Sequence, residues 1–399
     1  LLKKIKTSSL VLGMHIHAFC GPWLHHPFWR SKFTLKGQKD IQKIQQSSIK
    51  EVIINIQKGC DVAPLKKTQQ AKIALPTTSA EPTQPYIPME QELSRAITIY
   101  AESKQAMQCI FDDVRMGKTV DVNTAKSIVD DISKSVMSNS GALISIVRLK
   151  NVDEYTYMHS VAICALMMAM AKTLGFQKEQ IKEAGLAGLL HDVGKANIPA
   201  VLLNKPGPLT EEEHKLMKSH PKEGYKILKQ QYSVSAAILD VCLHHHEKVD
   251  GSGYPSGLIG NQISQLTKIA SICDVYDAIT SDRAYKEGWN PADALKQMSQ
   301  WTGHFDQVLF QTFVKLIGIY PIGTLVKLKT EKLGVVYEQN SQSLLKPRVK
   351  VFFCAKTHRY LNPEIYDLSD ISITDSILGP EDPENWGISN TEQYWAVKQ

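Results

Sequence analysis

The residues best suited to chemistry are gathered in the middle of the chain. Seven of the thirteen histidines fall between His159 and His246. A lone helical histidine is usually a packed or surface residue, but here the histidines keep company with acids: His191-Asp192, His220, His245-His246 and Asp274. Adjacent residues on a helix point about 100° apart, so a His-Asp dyad can serve two neighbouring cations, the carboxylate bridging and the imidazole binding one side. Nitrogen and oxygen donors without thiolate suit Fe, Mn, Zn, Co or Ni and argue against Cu(I) or iron–sulfur chemistry. Two such metals, roughly 3.5–4 Å apart, can polarise a phosphodiester oxygen and hold a hydroxide nucleophile between them. Lys195, three residues after Asp192, is placed to stabilise charge building on phosphoryl oxygens.

Five segments then give the pattern a family. HS at 159–160, HDVGK at 191–195, HPKEG at 220–224, HHEKVDGSGYP at 245–255 and DVYDAITSDRAYK at 274–286 resemble, in order and spacing, the successive motifs of HD-GYP phosphohydrolases. The resemblance spans about residues 95–320. It implies an all-helical HD-type fold and hydrolysis of cyclic di-GMP to linear pGpG or to GMP. It also implies two divalent metals, Fe or Mn foremost and Ni, Co or Zn as further candidates, held by His159, His191, Asp192, His220, His245, His246 and Asp274. Asp192 is expected to bridge and Lys195 to face the scissile phosphate. Arg283 and Lys286, one helical turn apart, are expected to grip phosphate. Gly251, Gly253, Tyr254 and Pro255 form the expected substrate loop, its glycines allowing close backbone approach and its proline fixing the exit.

The chain departs from some family members at one position. Where they carry a Glu four residues before the first histidine, and with it a third metal, this chain has Tyr155. Glu154 is about 500° round a helix from His159 and faces away, so two metals are expected. The fixed distance to GSGYP selects His245 and His246 from the triplet and leaves His244 a bystander. His214 and His304 are expected to be structural.

Helices must position these residues. From Gln91 the pattern is helical for over two hundred residues, with Asn123 a candidate cap for TAKSIVDDISKSV. VAICALMMAMAKTLGF is apolar nearly all round, as suits the centre of a bundle, and Gly175 closes it. The expected architecture is therefore mainly α: a helical catalytic domain over 91–320, preceded by a small α+β module over 1–67 and a Pro/Thr/Ser/Gln-rich linker over 68–90. A small β-rich segment (321–360) and an acidic, flexible tail (361–399) are expected to follow. In the N-terminal module SSLVLGMHIH and EVIINI read as strands, and the module is similar to the small domain that often precedes this catalytic unit.

Composition narrows the classes. With 43% hydrophobic and 22% charged residues the chain is that of an ordinary globular protein. The apolar run Val161 to Ala171 falls short of the roughly 20 residues a membrane span needs. Seven scattered cysteines make no CxxC pair, which argues against a thiolate zinc site and fits a cytoplasmic location. Residues 1–72 carry thirteen Lys or Arg against three acids, and residues from Glu364 onward eight acids against one Lys. The basic residues lack interleaved aromatics, so they read as a solvated face rather than a stable nucleic-acid surface. A homodimer or a GGDEF-type signalling partner is compatible with the resemblance. The competing functions are a cyclic GMP-AMP phosphodiesterase, since no motif visibly reads the base, and a non-catalytic cyclic-dinucleotide receptor.

Overall fold

The computed structural model describes residues 2–20, 33–35, 37–46, 50–55, 58–59, 87, 89–147, 155–282, 288–340 and 343–396. The chain divides into two compact units, Leu1–Glu81 and Pro82–Gln399.

In the first unit, β1 (Leu2–Lys6), β2 (His15–Cys20), β3 (Phe33–Thr34) and β4 (Glu51–Asn55) form an antiparallel sheet in the order β1-β4-β2-β3, with α1 at Gln38–Gln46. Alternate residues of β4 are buried, and Val52 and Ile54 join Met14, Ile16, Ile41 and Ile44 in a small core. Of EVIINI, Glu51–Asn55 form a strand, as the β-type run predicts. SSLVLG does not: residues 7–9 make a 3-10 turn and only from His15 does the chain extend.

The second unit is mainly helical. The helices are α2 (Met89–Arg115), α3 (Val122–Val147), α4 (Tyr155–Thr173), α5 (Lys178–Leu190), α6 (Ala200–Leu203) and α7 (Glu211–Met217). They continue with α8 (His220–Lys229), α9 (Ala236–His244), α10 (Gln265–Thr280), α11 (Pro291–Gln300) and α12 (Gln307–Ile317). The start of α3 is capped by Asp121, whose carboxylate accepts the amides of Asn123 and Thr124, so the cap lies two residues before the expected Asn123. α4 is the axis. Met158 through Ala171 are buried all round, and α3, α5, α10 and α12 pack against it. Gly175, with φ +78°, ends it, and the Phe176 amide reaches back to the Ala171 carbonyl.

After α12, β5 (Leu325–Leu328), β6 (Lys332–Glu338), β7 (Arg348–Cys354) and β8 (Arg359–Asp367) form an antiparallel meander. β9 (Ile377–Pro380) returns to the outer edge of β5, giving the order β8-β7-β6-β5-β9. The sheet therefore runs well past residue 360. Nor is the acidic end a free tail: Ile388 and Trp395 are buried in the same core as the helices, and the Tyr394 ring stacks on Phe352 at 3.7 Å between centroids. The acids face water while the few interspersed apolar residues do the packing, which an average over the segment hides. Among the described residues no helix is long and apolar enough to cross a membrane.

Candidate metal centre

The predicted histidines and acids come from widely separated segments, and the fold brings them to one point. His159 is on α4 and His191 caps the end of α5, with Asp192 entering the 3-10 turn Val193–Asn197. His220 opens α8, His245 and His246 follow α9, and Asp274 is on α10. Glycine makes this convergence possible. A Cβ at Gly194 would lie 2.0 Å from the His220 carbonyl oxygen and 2.4 Å from the Gly224 nitrogen, so only glycine lets the HDVGK turn rest on the start of α8.

Asp192 is the focus. Its Oδ2 lies 3.3 Å from His191 Nε2 and 3.5 Å from His159 Nε2, while its Oδ1 lies 3.1 Å from His220 Nε2 and 3.7 Å from His245 Nε2. Asp274 spans a second gap, with Oδ1 3.0 Å from His159 Nε2 and Oδ2 3.5 Å from His246 Nδ1. Two groups emerge, His159/His191/Asp192 and His220/His245/His246, within each of which the donor atoms all lie within 4.8 Å of one another.

The imidazoles are oriented from behind. Nδ1 of His191 donates to the Gly188 carbonyl at 2.7 Å, that of His220 to Met217 at 2.6 Å, and that of His245 to Val241 and Cys242 at 3.1 and 3.0 Å. A carbonyl can only accept, so the proton sits on Nδ1 and the Nε2 lone pairs turn inward. Yet His220 Nε2 lies 3.3 Å from His245 Nε2 and 3.2 Å from His246 Nε2. The lone pairs of His220 and His245, so close, repel unless a proton or a cation lies between them. His191 Nε2 and Asp192 Oδ1 are likewise buried without a hydrogen bond of good geometry. A buried donor set of this kind fits a divalent cation.

Charge states agree. Burial alone would push the carboxyls of Asp192 and Asp274 up. Lys195 and His191 outweigh it at the first, and His159 and His246 at the second, so both are held well below the usual carboxylate range. Burial and the neighbouring imidazoles push His245 well down, and burial outweighs Asp274 to bring His246 to about 3. At His191 burial pulls down, but the Asp192 carboxylate wins and raises it. Ionised carboxylates facing the neutral imidazoles of His245 and His246 are the state that metal ligation requires.

Lys195 Nζ sits 2.5 Å from Asp192 Oδ2, with its side chain 19% exposed. Tyr254 stacks on His246 at 4.7 Å, and burial, reinforced by Asp274 and Asp192, pushes its hydroxyl up, so it stays protonated. The Tyr254–Pro255 bond is cis. Gly253 is used against the chain itself, because a Cβ there would lie 2.4 Å from the Lys248 nitrogen. Arg283 and Lys286 lie outside the described residues, as do Glu154, His25 and His26. Tyr155 opens α4. His15 pairs with Thr34 at 2.9 Å, His214 lies on α7, and His304 packs between Trp301 and Phe305.

Two carboxylates that the motifs do not single out complete the surroundings. Asp277, one turn after Asp274, accepts His159 Nδ1 at 2.7 Å, and the i, i+3 spacing of the acids in DVYD was the available signal. Glu247 is buried beside the loop. His244 bonds Asp240 at 2.9 Å and points away from the centre.

Comparison with known proteins finds two family models along the chain: a domain of unknown function (DUF3391) over residues 2–125 and an HD domain over residues 141–309. The chain is 48% identical to the cyclic di-GMP phosphodiesterase PA4108 of Pseudomonas aeruginosa over 397 residues, 99% of this chain and 96% of that protein. It is 32% identical over 184 residues to 3'3'-cGAMP-specific phosphodiesterase 1 of Vibrio cholerae, 46% of this chain and 42% of that one. Among solved structures, Bd1817, an HDG"Y"P protein from Bdellovibrio bacteriovorus, superposes with a TM-score of 0.47 at 19% identity, covering 78% of this chain and 98% of that one.

Proposed function

The chain belongs to the HD-GYP family of HD-domain phosphodiesterases, and from that footing we propose that it hydrolyses cyclic di-GMP to linear pGpG, GMP or both at the His/Asp centre. The observation that carries the reading is the convergence of imidazoles on both oxygens of Asp192. We assign His159, His191, Asp192, His220, His245, His246 and Asp274 as ligands of two divalent cations, with Asp192 bridging because each of its oxygens faces a different donor group. The nitrogen and oxygen donors suit Fe or Mn, and also admit Ni, Co or Zn.

When bound, such cations supply Lewis-acid polarisation of the phosphoryl group and a nucleophile at neutral pH. The chain's own groups do the rest. Lys195 offers its ammonium to the phosphoryl oxygens beside Asp192. The protonated Tyr254 hydroxyl donates at the rim, and the loop with Gly251, Gly253 and Pro255 lies against the dinucleotide. Arg283 and Lys286 are assigned to its phosphates on the resemblance of DVYDAITSDRAYK. Cyclic di-GMP is placed ahead of cyclic GMP-AMP because the relative named for the former matches along nearly the whole chain. A complete donor set counts against a receptor that never turns over.

The test is to load the full chain anaerobically with Fe or Mn and follow cyclic di-GMP by chromatography, with cyclic GMP-AMP as competitor. Linear dinucleotide, GMP or both should form, and Asp192→Ala should lower turnover by on the order of a thousandfold or more. Neither linear dinucleotide nor GMP from protein holding two metals would overturn the assignment.

A further inference from the structure

Glu247 follows the ligand pair His245-His246 directly and is 2% exposed. Its two oxygens both reach forward along the chain: Oε1 accepts the Ser256 amide at 2.7 Å and Oε2 the Leu258 amide at 3.1 Å. A buried carboxylate with each oxygen taken by a backbone amide is a stiff, directional restraint, since charge-assisted bonds are shorter and stronger than neutral ones. The residue on the other side of the pair reaches the same loop. His244, anchored by Asp240, lies with Nε2 3.5 Å from Ser256 Oγ. The loop's entry is pinned separately, by the Val249 amide to the His304 carbonyl at 3.2 Å and the Asp250 amide to Gly303 at 2.9 Å. The Tyr254 amide, at 3.3 Å, bonds the His246 carbonyl.

We propose that Glu247 is a positioning residue that locks the loop Gly251–Leu258 over the metal centre, pre-organised for a cyclic dinucleotide. The proposal rests on the reading of that loop as substrate-bearing. A free loop of this length would have to be ordered when substrate arrives, and that conformational entropy would be charged against binding. The charge falls on a ligand large enough to touch the loop. A small phosphodiester that touches only the centre escapes it.

Glu247→Gln in the full, metal-loaded chain tests this, because it keeps the volume but turns one acceptor into a donor facing an amide. KM and kcat are measured with cyclic di-GMP and with bis(p-nitrophenyl) phosphate, alongside metal content and hydrogen exchange of residues 250–258. KM for cyclic di-GMP should rise about tenfold relative to that for the small diester. Metal content should hold, and the Ser256 and Leu258 amides should exchange faster while α8 and α9 do not. Unchanged loop exchange, or metal loss with both substrates falling in equal proportion, overturns the proposal. Should the wild type cleave the small diester but not cyclic di-GMP, the substrate assignment fails, while the exchange measurement still decides the lock. If Glu247→Gln does not fold, His244→Gln takes its place, with a smaller shift in the same direction.

Discussion

Each imidazole around Asp192 is aimed from behind, and the support differs from one to the next. His191, His220 and His245 lean on carbonyls of the helix turns just before them, so their orientation comes with the helix ends and survives most side-chain changes. His159 is different, because its Nδ1 is held by a side chain, Asp277, at 2.7 Å. A carboxylate behind a ligating histidine raises its basicity and fixes its tautomer, and losing one typically costs 10–100-fold in metal affinity. Asp277→Asn should therefore weaken binding at the His159 side by about that factor and leave the helical circular-dichroism signal intact. Competition titration against a metal-binding dye reads the affinity, and an unchanged value would place Asp277 in packing alone. His159 was indicated only by the resemblance of the motifs, while His191-Asp192, His220, His245-His246 and Asp274 were legible as a cluster of histidines and acids. The backbone carbonyls behind them were not, because any residue can supply a carbonyl.

Elements were legible wherever periodicity is strong. α4 announces itself by an apolar run interrupted only after Ala171, and β4 by a short run of β-branched residues. At the C-terminal end, local composition was outvoted by a few contacts from far away in sequence. The acidic C-terminal segment looks unable to fold, yet Trp395, 4% exposed, lies against Gly323, where a Cβ would come within 2.8 Å of its ring. Beside it the Tyr394 ring covers Phe352 of β7. One tryptophan thus ties the C-terminal segment to the turn that leads into β5. Trp395→Ala should cost about 3–5 kcal/mol, the usual range for a buried tryptophan. Urea unfolding followed by far-ultraviolet circular dichroism gives the number. A loss within about 0.5 kcal/mol, the range of a surface change, would return the segment to the status of a loose tail.

At the scale of the whole second unit, the centre is a cross-link as much as a site. Its donors belong to α4, α10 and the ends of α5, α8 and α9, and those helices share one continuous core with the C-terminal sheet. Without cations, the buried lone pairs of His220 and His245 face each other at 3.3 Å and repel, which strains the start of α8 against the end of α9. A ligand that binds only the folded state adds RT ln(1 + [L]/Kd), about 4 kcal/mol at a thousandfold excess over Kd. For a unit of this size that corresponds to roughly 6 °C in Tm. Chelation should lower the calorimetric Tm of the helical unit by about that amount, and restoring Mn should recover it. The Asp192→Ala variant, lacking the carboxylate that both donor groups face, should respond far less to either treatment. Equal Tm shifts in wild type and variant would mean that the stabilising cation binds elsewhere, whatever the centre does in catalysis.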